Sequence, residues 1–262
     1  MKPLPPLDGH VHTEFSWDAA RGSMERSCER ALELGLPGIA FTDHHDLVHA
    51  FEDQHPLDVD AYLDCVERCR HGFPGLRVLS GIELGEPHWF PDETERLLAG
   101  GRFDRVVGSV HCLGTKDAAV DQSKAMKTAE PPELLMRGHL AETLRLLESP
   151  MPFEVLAHLD YPKRYWPGDF FDERPFEEGY RAVLRAAAQR GAVLEVNTTR
   201  GRVMCPGLVP LRWWYEAGGE GVSFGSDAHE PDMIAVGFQN AAEMVEAAGF
   251  RPSADPLAFW TR

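Results

Sequence analysis

Seven short apolar runs rich in β-branched residues punctuate the chain, at Leu7–Val11, Gly38–Phe41, Arg77–Ile82, Phe103–Val110, Phe153–His158, Ala192–Val196 and Gly221–Gly225. Between them, apolar residues recur at three- and four-residue spacing over Ser23–Leu34, Asp60–Arg70, Pro131–Glu148 and Pro175–Gln189. That is the period of helices with one buried face. Gly35 and Gly191 follow two of these segments, where a left-handed residue would cap them. Strand and helix in alternation predict a parallel sheet, and seven repeats without a long polar linker predict closure into a barrel; an open doubly wound sheet is the alternative. The stretch from Leu113 to Pro132 is polar and weakly patterned, and reads as a long loop over one face. With 262 residues, 43% of them hydrophobic, the chain has enough apolar surface for one large core, so a single domain over 1–262 is expected.

The polar residues fall at the ends of these runs. His10 and His12 close the first, Asp43 and His44 follow the second, Glu83 the third and His111 the fourth. His158 and Asp160 end the fifth, Asn197 the sixth, and Asp227 and His229 the seventh. Side chains two apart on a strand share a face, so each closely spaced pair can grip one centre. In a parallel barrel all these positions lie at the carboxyl-end rim, where such folds carry their active sites. Asp160 and Asn197 are equally ordinary turn and cap residues, and His49, His55, His71, His88 and His139 fit no such pattern. Imidazole with carboxylate and no thiolate suits zinc, manganese or iron. The set is too large for one ion, and Glu83, with two oxygens, is the natural bridge; nearby ions would turn a shared water into hydroxide near neutral pH.

The formal net charge of -16 opposes sequence-independent attraction to nucleic acid or anionic lipid, and leaves a small molecule as the expected partner. The five cysteines are odd in number and form no CxxC repeat, which argues against a disulfide framework or a zinc ribbon. Cys65 and Cys69 are neighbours by helical spacing alone. The opening MKPLPPLDGH has no apolar targeting core and no stretch is long enough to span a bilayer, so the cytoplasm is the expected compartment. Nothing in the pattern specifies an oligomeric state.

The motifs DGHVHT at 8–13, FTDHH at 41–45, GIE at 81–83, SVH at 109–111, AHLD at 157–160 and GSDAH at 225–229 resemble the polymerase and histidinol phosphatase (PHP) superfamily. The HLDYPKRYW and VNTTRGR segments resemble its histidinol-phosphatase branch. The resemblance covers nearly the whole chain. It implies a distorted (β/α)7 barrel with three divalent metal ions (zinc, manganese or iron) at the carboxyl ends of the strands. One ion would be held by His10, His12, Glu83 and Asp227, a second by Glu83, His111 and His158, and a third by Asp18, His44 and His229. Asp18 stands where some relatives carry histidine, and the TDH motif points to His44 rather than His45.

The activity implied is hydrolysis of a phosphate monoester by a metal-bridging hydroxide, with L-histidinol phosphate as the expected substrate and Glu83, Asp227 and His229 in the catalytic step. Arg164 and Arg200 match positions that clasp phosphate, with Lys163 and Arg202 secondary. Phe15, Trp17, Tyr165 and Trp166 with acidic Glu14 are candidates for the pocket of the leaving alcohol, Trp17 foremost. The alternatives are a broader phosphoesterase acting on nucleotides or other small esters, a non-catalytic metal-binding module and an amidohydrolase. The acidic chain lacks a basic groove for DNA, and the two arginines count against the amidohydrolase.

Overall fold

All seven apolar runs are strands of one curled sheet in the computed structural model, which describes residues 5–51, 54–100, 102–128, 131–168 and 170–262. In chain order the strands are β1 (Asp8–Val11), β2 (Gly38–Phe41), β3 (His44–Asp46), β4 (Arg77–Gly85), β5 (Arg105–Ser109), β6 (Cys112–Thr115), β7 (Ala118–Asp121), β8 (Val155–Leu156), β9 (Val193–Asn197), β10 (Gly221–Gly225) and β11 (Trp260–Thr261). The helices are α1 (Met24–Glu33), α2 (Val59–Gly72), α3 (Pro91–Leu98), α4 (Gln122–Ala125), α5 (Pro132–Glu148), α6 (Glu177–Arg190), α7 (Leu208–Glu216) and α8 (Phe238–Ala248).

The main sheet runs β1-β2-β4-β5-β8-β9-β10-β11, with β3 also paired to β4. Every pairing in it is parallel except the short antiparallel addition of β11. The two ends of the parallel run meet: Val11 forms a parallel bridge with Ala228, just past β10. There the Asp227 N–H donates to the His10 carbonyl at 2.9 Å and the His12 N–H to the Ala228 carbonyl at 2.8 Å. This closes a distorted seven-stranded barrel, as the pattern predicts, and sets the chains carrying His10, His12 and Asp227 side by side.

Local chemistry explains the elements. Ser23 and Asp58 cap α1 and α2 by accepting the N–H of Arg26 and Ala61. Gly191 ends α6 with φ 73°, as expected of a left-handed cap. One core cluster packs α1 and α2 on β1, β2 and β4 through Met24, Cys28, Ile39, Tyr62 and Val66. Another packs α5 to α8 on β8 to β10 through Met136, Tyr180, Leu194, Trp214 and Phe224. Cys28, Cys65 and Cys69 are all buried and unbridged, consistent with packing. No helix among the described residues is long and apolar enough to cross a membrane.

Two expectations change. Leu113 to Pro132 is not a structureless loop: β6 and β7 form an antiparallel hairpin that runs directly into α4. The remaining part of that stretch includes 129–130, which lie outside the described residues. Glu83 does not follow its strand but lies inside it, because β4 continues to Gly85 by taking β3 as a partner, with His44 in register with Glu83.

Candidate metal centre and catalytic cavity

The strand ends converge on Glu83, which is buried in the middle of β4. His10 and His12 project from β1 and its continuation with their Nε2 atoms 3.1 Å apart, at 3.3 and 3.5 Å from Glu83 Oε2. Their other ring nitrogens fix the tautomers. His10 Nδ1 lies 2.6 Å from Glu195 Oε1, so it carries the proton. His12 Nδ1 lies 3.0 Å from Ser16 Oγ, whose own proton goes to Asp43 at 2.8 Å, so His12 Nδ1 also donates. With those protons on Nδ1, the neutral form of each ring turns its Nε2 lone pair toward the same carboxylate oxygen. Such a set is held together by a cation.

The remaining ligand candidates surround the same carboxylate. His44 Nδ1 stands 3.0 Å from Glu83 Oε2, and neither atom makes a hydrogen bond among the described residues. His111 Nε2 and His158 Nε2 stand 3.2 and 2.9 Å from Glu83 Oε1. At the rim, Asp18 Oδ2 lies 2.8 Å from His229 Nε2 and 3.5 Å from His44 Nε2. Three groups have the compactness a metal needs: His10, His12 and Glu83; His44, Glu83 and His111; and His12, Asp18, His44 and His229. His44 serves two of them through its two nitrogens. Asp227, whose Oδ1 is 3.4 Å from His12 Nε2, and His158 lie against these groups without completing one. His45 belongs to none of these groups.

The electrostatics describe a centre short of positive charge. Burial opposes ionisation of Glu83, but the imidazoles of His10, His111 and His44 outweigh it and hold its carboxyl well below the ordinary range. Burial likewise opposes charge on His111, yet Glu83 and Asp46 push it up to about 10. His10 is also driven up, against burial, by Glu195, Glu83 and Asp227. A buried cluster that draws protons onto its histidines to balance its carboxylates is one that divalent cations would balance better.

The centre forms the floor of a cavity of about 280 Å³ whose wall includes Trp17, Asp18, Tyr165, Arg164 and Arg200. Arg164 Nη2 is 2.5 Å from Asp227 Oδ2, and the guanidinium lies 5.0 Å over the Tyr161 ring. Arg200 adopts the left-handed conformation at φ 56°, and Asp227 does so at φ 55°. Non-glycine residues held there are strained, a cost that recurs where side-chain aim matters for function. Trp17 donates its Nε1 proton to Asp46 at 3.0 Å and stacks on Phe51.

Other expected members are elsewhere. Phe15 packs edge-on against Tyr62 in the core, and Glu14 accepts the Met24 N–H at 2.6 Å at the start of α1. Trp166 packs on Phe171 and Phe176. Lys163 pairs with Glu173 at 2.9 Å, and Arg202 is exposed. Asp160 accepts from Tyr180 Oη at 3.0 Å and supports the loop after His158. Asn197 donates to Glu195 at 3.0 Å.

Sequence reasoning passed over Glu195 and Asp46. Glu195 Oε1 meets His10, and its Oε2 accepts the backbone N–H of His158 at 2.8 Å. Asp46 Oδ1 lies 3.3 Å from His111 Nδ1. The available signal was one acid inside the apolar strand VLEVN, two residues before Asn197.

The sequence matches the PHP domain family over residues 8–199. It is 29% identical over 256 residues to the probable histidinol-phosphatase of Clostridium acetobutylicum, covering 94% of this chain and 95% of that one. It is 26% identical over 255 residues to the histidinol-phosphatase of Lactococcus lactis, covering 93% and 91%. A crystal structure of the Lactococcus lactis histidinol phosphate phosphatase, complexed with zinc, L-histidinol and phosphate, has the same fold, with a TM-score of 0.84 at 24% identity over 95% of both chains. Barrel closure through Val11 and Ala228, the ring of histidines around Glu83 and the match over residues 8–199 lead to one conclusion: the chain belongs to the PHP domain family, among proteins named histidinol-phosphatases.

Proposed function

We propose that this protein, acting as one domain over 1–262, is a metal-dependent phosphomonoesterase that hydrolyses L-histidinol phosphate to L-histidinol and phosphate. The observation that carries the reading is the arrangement of His10, His12, His44, His111 and His158 about the two oxygens of Glu83, facing a cavity that holds two arginines. The names of relatives aligned over nearly the full chain support the substrate.

The donors fit divalent cations, since lone pairs on His10 and His12 converge beside a buried carboxylate oxygen that accepts no hydrogen bond. Three ions would be held by His10, His12, Glu83 and Asp227, by Glu83, His111 and His158, and by Asp18, His44 and His229. When bound, zinc, manganese or iron at such a site neutralises phosphoryl charge and supplies a nucleophile at neutral pH.

The chain's own residues do the rest. Arg164, fixed between Asp227 and the Tyr161 face, offers its guanidinium fork to the phosphoryl oxygens, and Arg200 closes on them from β9's loop. Glu83 spans the groups through its two oxygens. Asp227 stays ionised although burial opposes it, because Arg164 and His10 hold its carboxyl well below the ordinary range; its Oδ2 faces Arg164, and its Oδ1, 3.4 Å from His12 Nε2, would help hold a cation that activates water there. His229 sits at the mouth with its Nε2 2.8 Å from Asp18 Oδ2, where the two would hold the third ion at the edge of the cavity.

Phosphate release from L-histidinol phosphate, measured beside sugar phosphates and nucleotides with protein reconstituted in manganese, zinc or iron, tests the reading. A clear preference for L-histidinol phosphate is expected. Comparable turnover of the other esters would replace it with a broad phosphoesterase, and no turnover with any metal would remove the enzyme.

A further inference from the structure

The two arginines of the cavity are held in different ways. Arg164 is aimed by its own side-chain contacts, to Asp227 and to the Tyr161 ring. Arg200 Nε is buried without a hydrogen-bond partner among the described residues, so the direction of that side chain is left to its backbone. Thr199, Arg200 and Gly201 all have positive φ, at 47°, 56° and 79°. For a β-branched residue such as Thr199 the left-handed region is an outlier, kept only where the surroundings fix it. Asn197, fully buried at the end of β9, supplies the fixing contact: its Oδ1 accepts the Thr199 N–H at 2.8 Å and lies 3.4 Å from the Thr199 hydroxyl. This is the local turn that an Asn side chain makes with the backbone two residues on. The amide is itself anchored, with Nδ2 3.0 Å from Glu195 Oε2 and 3.4 Å from Asp227 Oδ2. A reversed amide would set its oxygen against those two carboxylates. On the other side β10 and its continuation hold the turn, through Thr198 N–H to the Gly225 carbonyl at 2.8 Å and Arg200 N–H to the Ser226 carbonyl at 3.0 Å.

We propose that Asn197 is a positioning residue that pins Thr199 in the left-handed conformation and thereby aims Arg200 at the phosphoryl group. The proposal rests on the phosphatase reading and adds the device that places its second arginine. Asn197 touches neither the phosphate nor Arg200. It ties the turn that carries Arg200 to Glu195 and Asp227, the carboxylates beside the metal centre, so the arginine is set in the same frame as the metal ligands.

The test is a double-mutant cycle of Asn197→Ala with Arg200→Ala in the metal-loaded protein, read by calorimetric binding of inorganic phosphate, by kcat and KM for L-histidinol phosphate, and by metal content. Asn197→Ala is expected to weaken phosphate binding and raise KM by about tenfold, with metal content unchanged. In the Arg200→Ala background the same substitution is expected to add less than about twofold, since the side chain it aims is gone. Thr199→Gly, which takes positive φ without strain, is expected to restore most of the binding lost in Asn197→Ala. An equal loss in both backgrounds, no recovery with glycine, or loss of metal overturns the proposal, because a structural role or one exerted on Glu195 and Asp227 alone would give those results. Asn197→Ser, whose hydroxyl makes the same turn more weakly, takes the place of Asn197→Ala in the cycle if alanine prevents folding. The expected pattern of phosphate binding without any turnover of L-histidinol phosphate would keep the role of Asn197 and remove the phosphatase reading.

Discussion

Glu195 Oε1 lies 2.6 Å from Nδ1 of His10, and its other oxygen accepts the backbone N–H of His158 at 2.8 Å, so one buried carboxylate from β9 fixes candidate ligands from two other strand ends. It orients the His10 ring, holds its proton on Nδ1 and raises the basicity of Nε2. Partners of this kind typically contribute about 10–100-fold to metal affinity. Glu195→Gln is therefore expected to weaken metal binding by about that factor while the barrel stays folded. Competition with a chelator of known affinity measures it, and unchanged metal retention would show that Glu195 does not act through His10.

The same contact constrains the backbone beside it. A Cβ on Gly225, in β10, would overlap Glu195 Oε1 and come within 2.7 Å of the His10 Cβ. Neither neighbour can retreat, since both are buried and hydrogen-bonded to each other. Gly225→Ala is expected to cost about 1–3 kcal/mol in stability, as overpacking does. It should also release metal on dialysis under conditions in which the wild type keeps it. A variant with the wild type's melting temperature and metal content would refute the packing argument.

The residues that end strands were legible in the sequence because a barrel turns strand ends into one site, and an apolar run that stops at a histidine marks its own place on the rim. That logic located His10, His12, His111, His158 and Asp227, whereas Arg164 and Arg200 were expected from the family resemblance, and they line the same cavity. It misses residues whose role depends on register. The HHD of β3 has no apolar pattern and is a strand only because β4 continues to pair with it. Glu195 faces the centre from inside an apolar strand, and only the pairing of β9 with β10 shows which side it takes. The hairpin at Cys112–Asp121 is obscured because its residues are mostly small or polar, so alternation carries little contrast. Phe15, Trp166 and Glu14 lie close in sequence to site residues, but the turns of their segments aim them into the core or at a helix start.

Arg164 makes two contacts that a lysine cannot reproduce together: its guanidinium reaches Asp227 Oδ2 at 2.5 Å and lies over Tyr161, 5.0 Å from the ring centroid. A lysine would keep the charge but lose the planar fork and the stacking. Arg164→Lys is expected to lower kcat/KM for phosphate monoester hydrolysis by about 10²-fold, the scale of losing one well-placed donor to the transition state. Metal content should stay unchanged. Steady-state kinetics beside metal analysis checks this, and a loss below threefold would mean that the phosphoryl group does not depend on the fork.

His139 on α5 gives a pH dependence separable from the centre. It is 1% exposed, and its Nε2 proton goes to the Leu159 carbonyl at 3.0 Å. Burial, aided by the nearby His158, pushes its pKa down from 6.5 to about 3. Above pH 6.5 the imidazole is neutral in both folded and unfolded chains and contributes no pH dependence. As pH falls below 6.5 the unfolded chain takes up a proton that the folded chain refuses, so stability declines by about 1.4 kcal/mol per unit until the folded group also titrates. Between pH 7 and pH 5 that amounts to about 2 kcal/mol. Glutamine can still donate to Leu159 and does not ionise, so His139→Gln is expected to lie near the wild type at pH 8 and to gain about 2 kcal/mol on it at pH 5. Urea unfolding of both proteins in chelator, so that metal release is common to the pair, measures the difference. If the gap is the same at the two pH values, His139 is not refusing a proton in the folded protein, and the acid sensitivity has its source elsewhere.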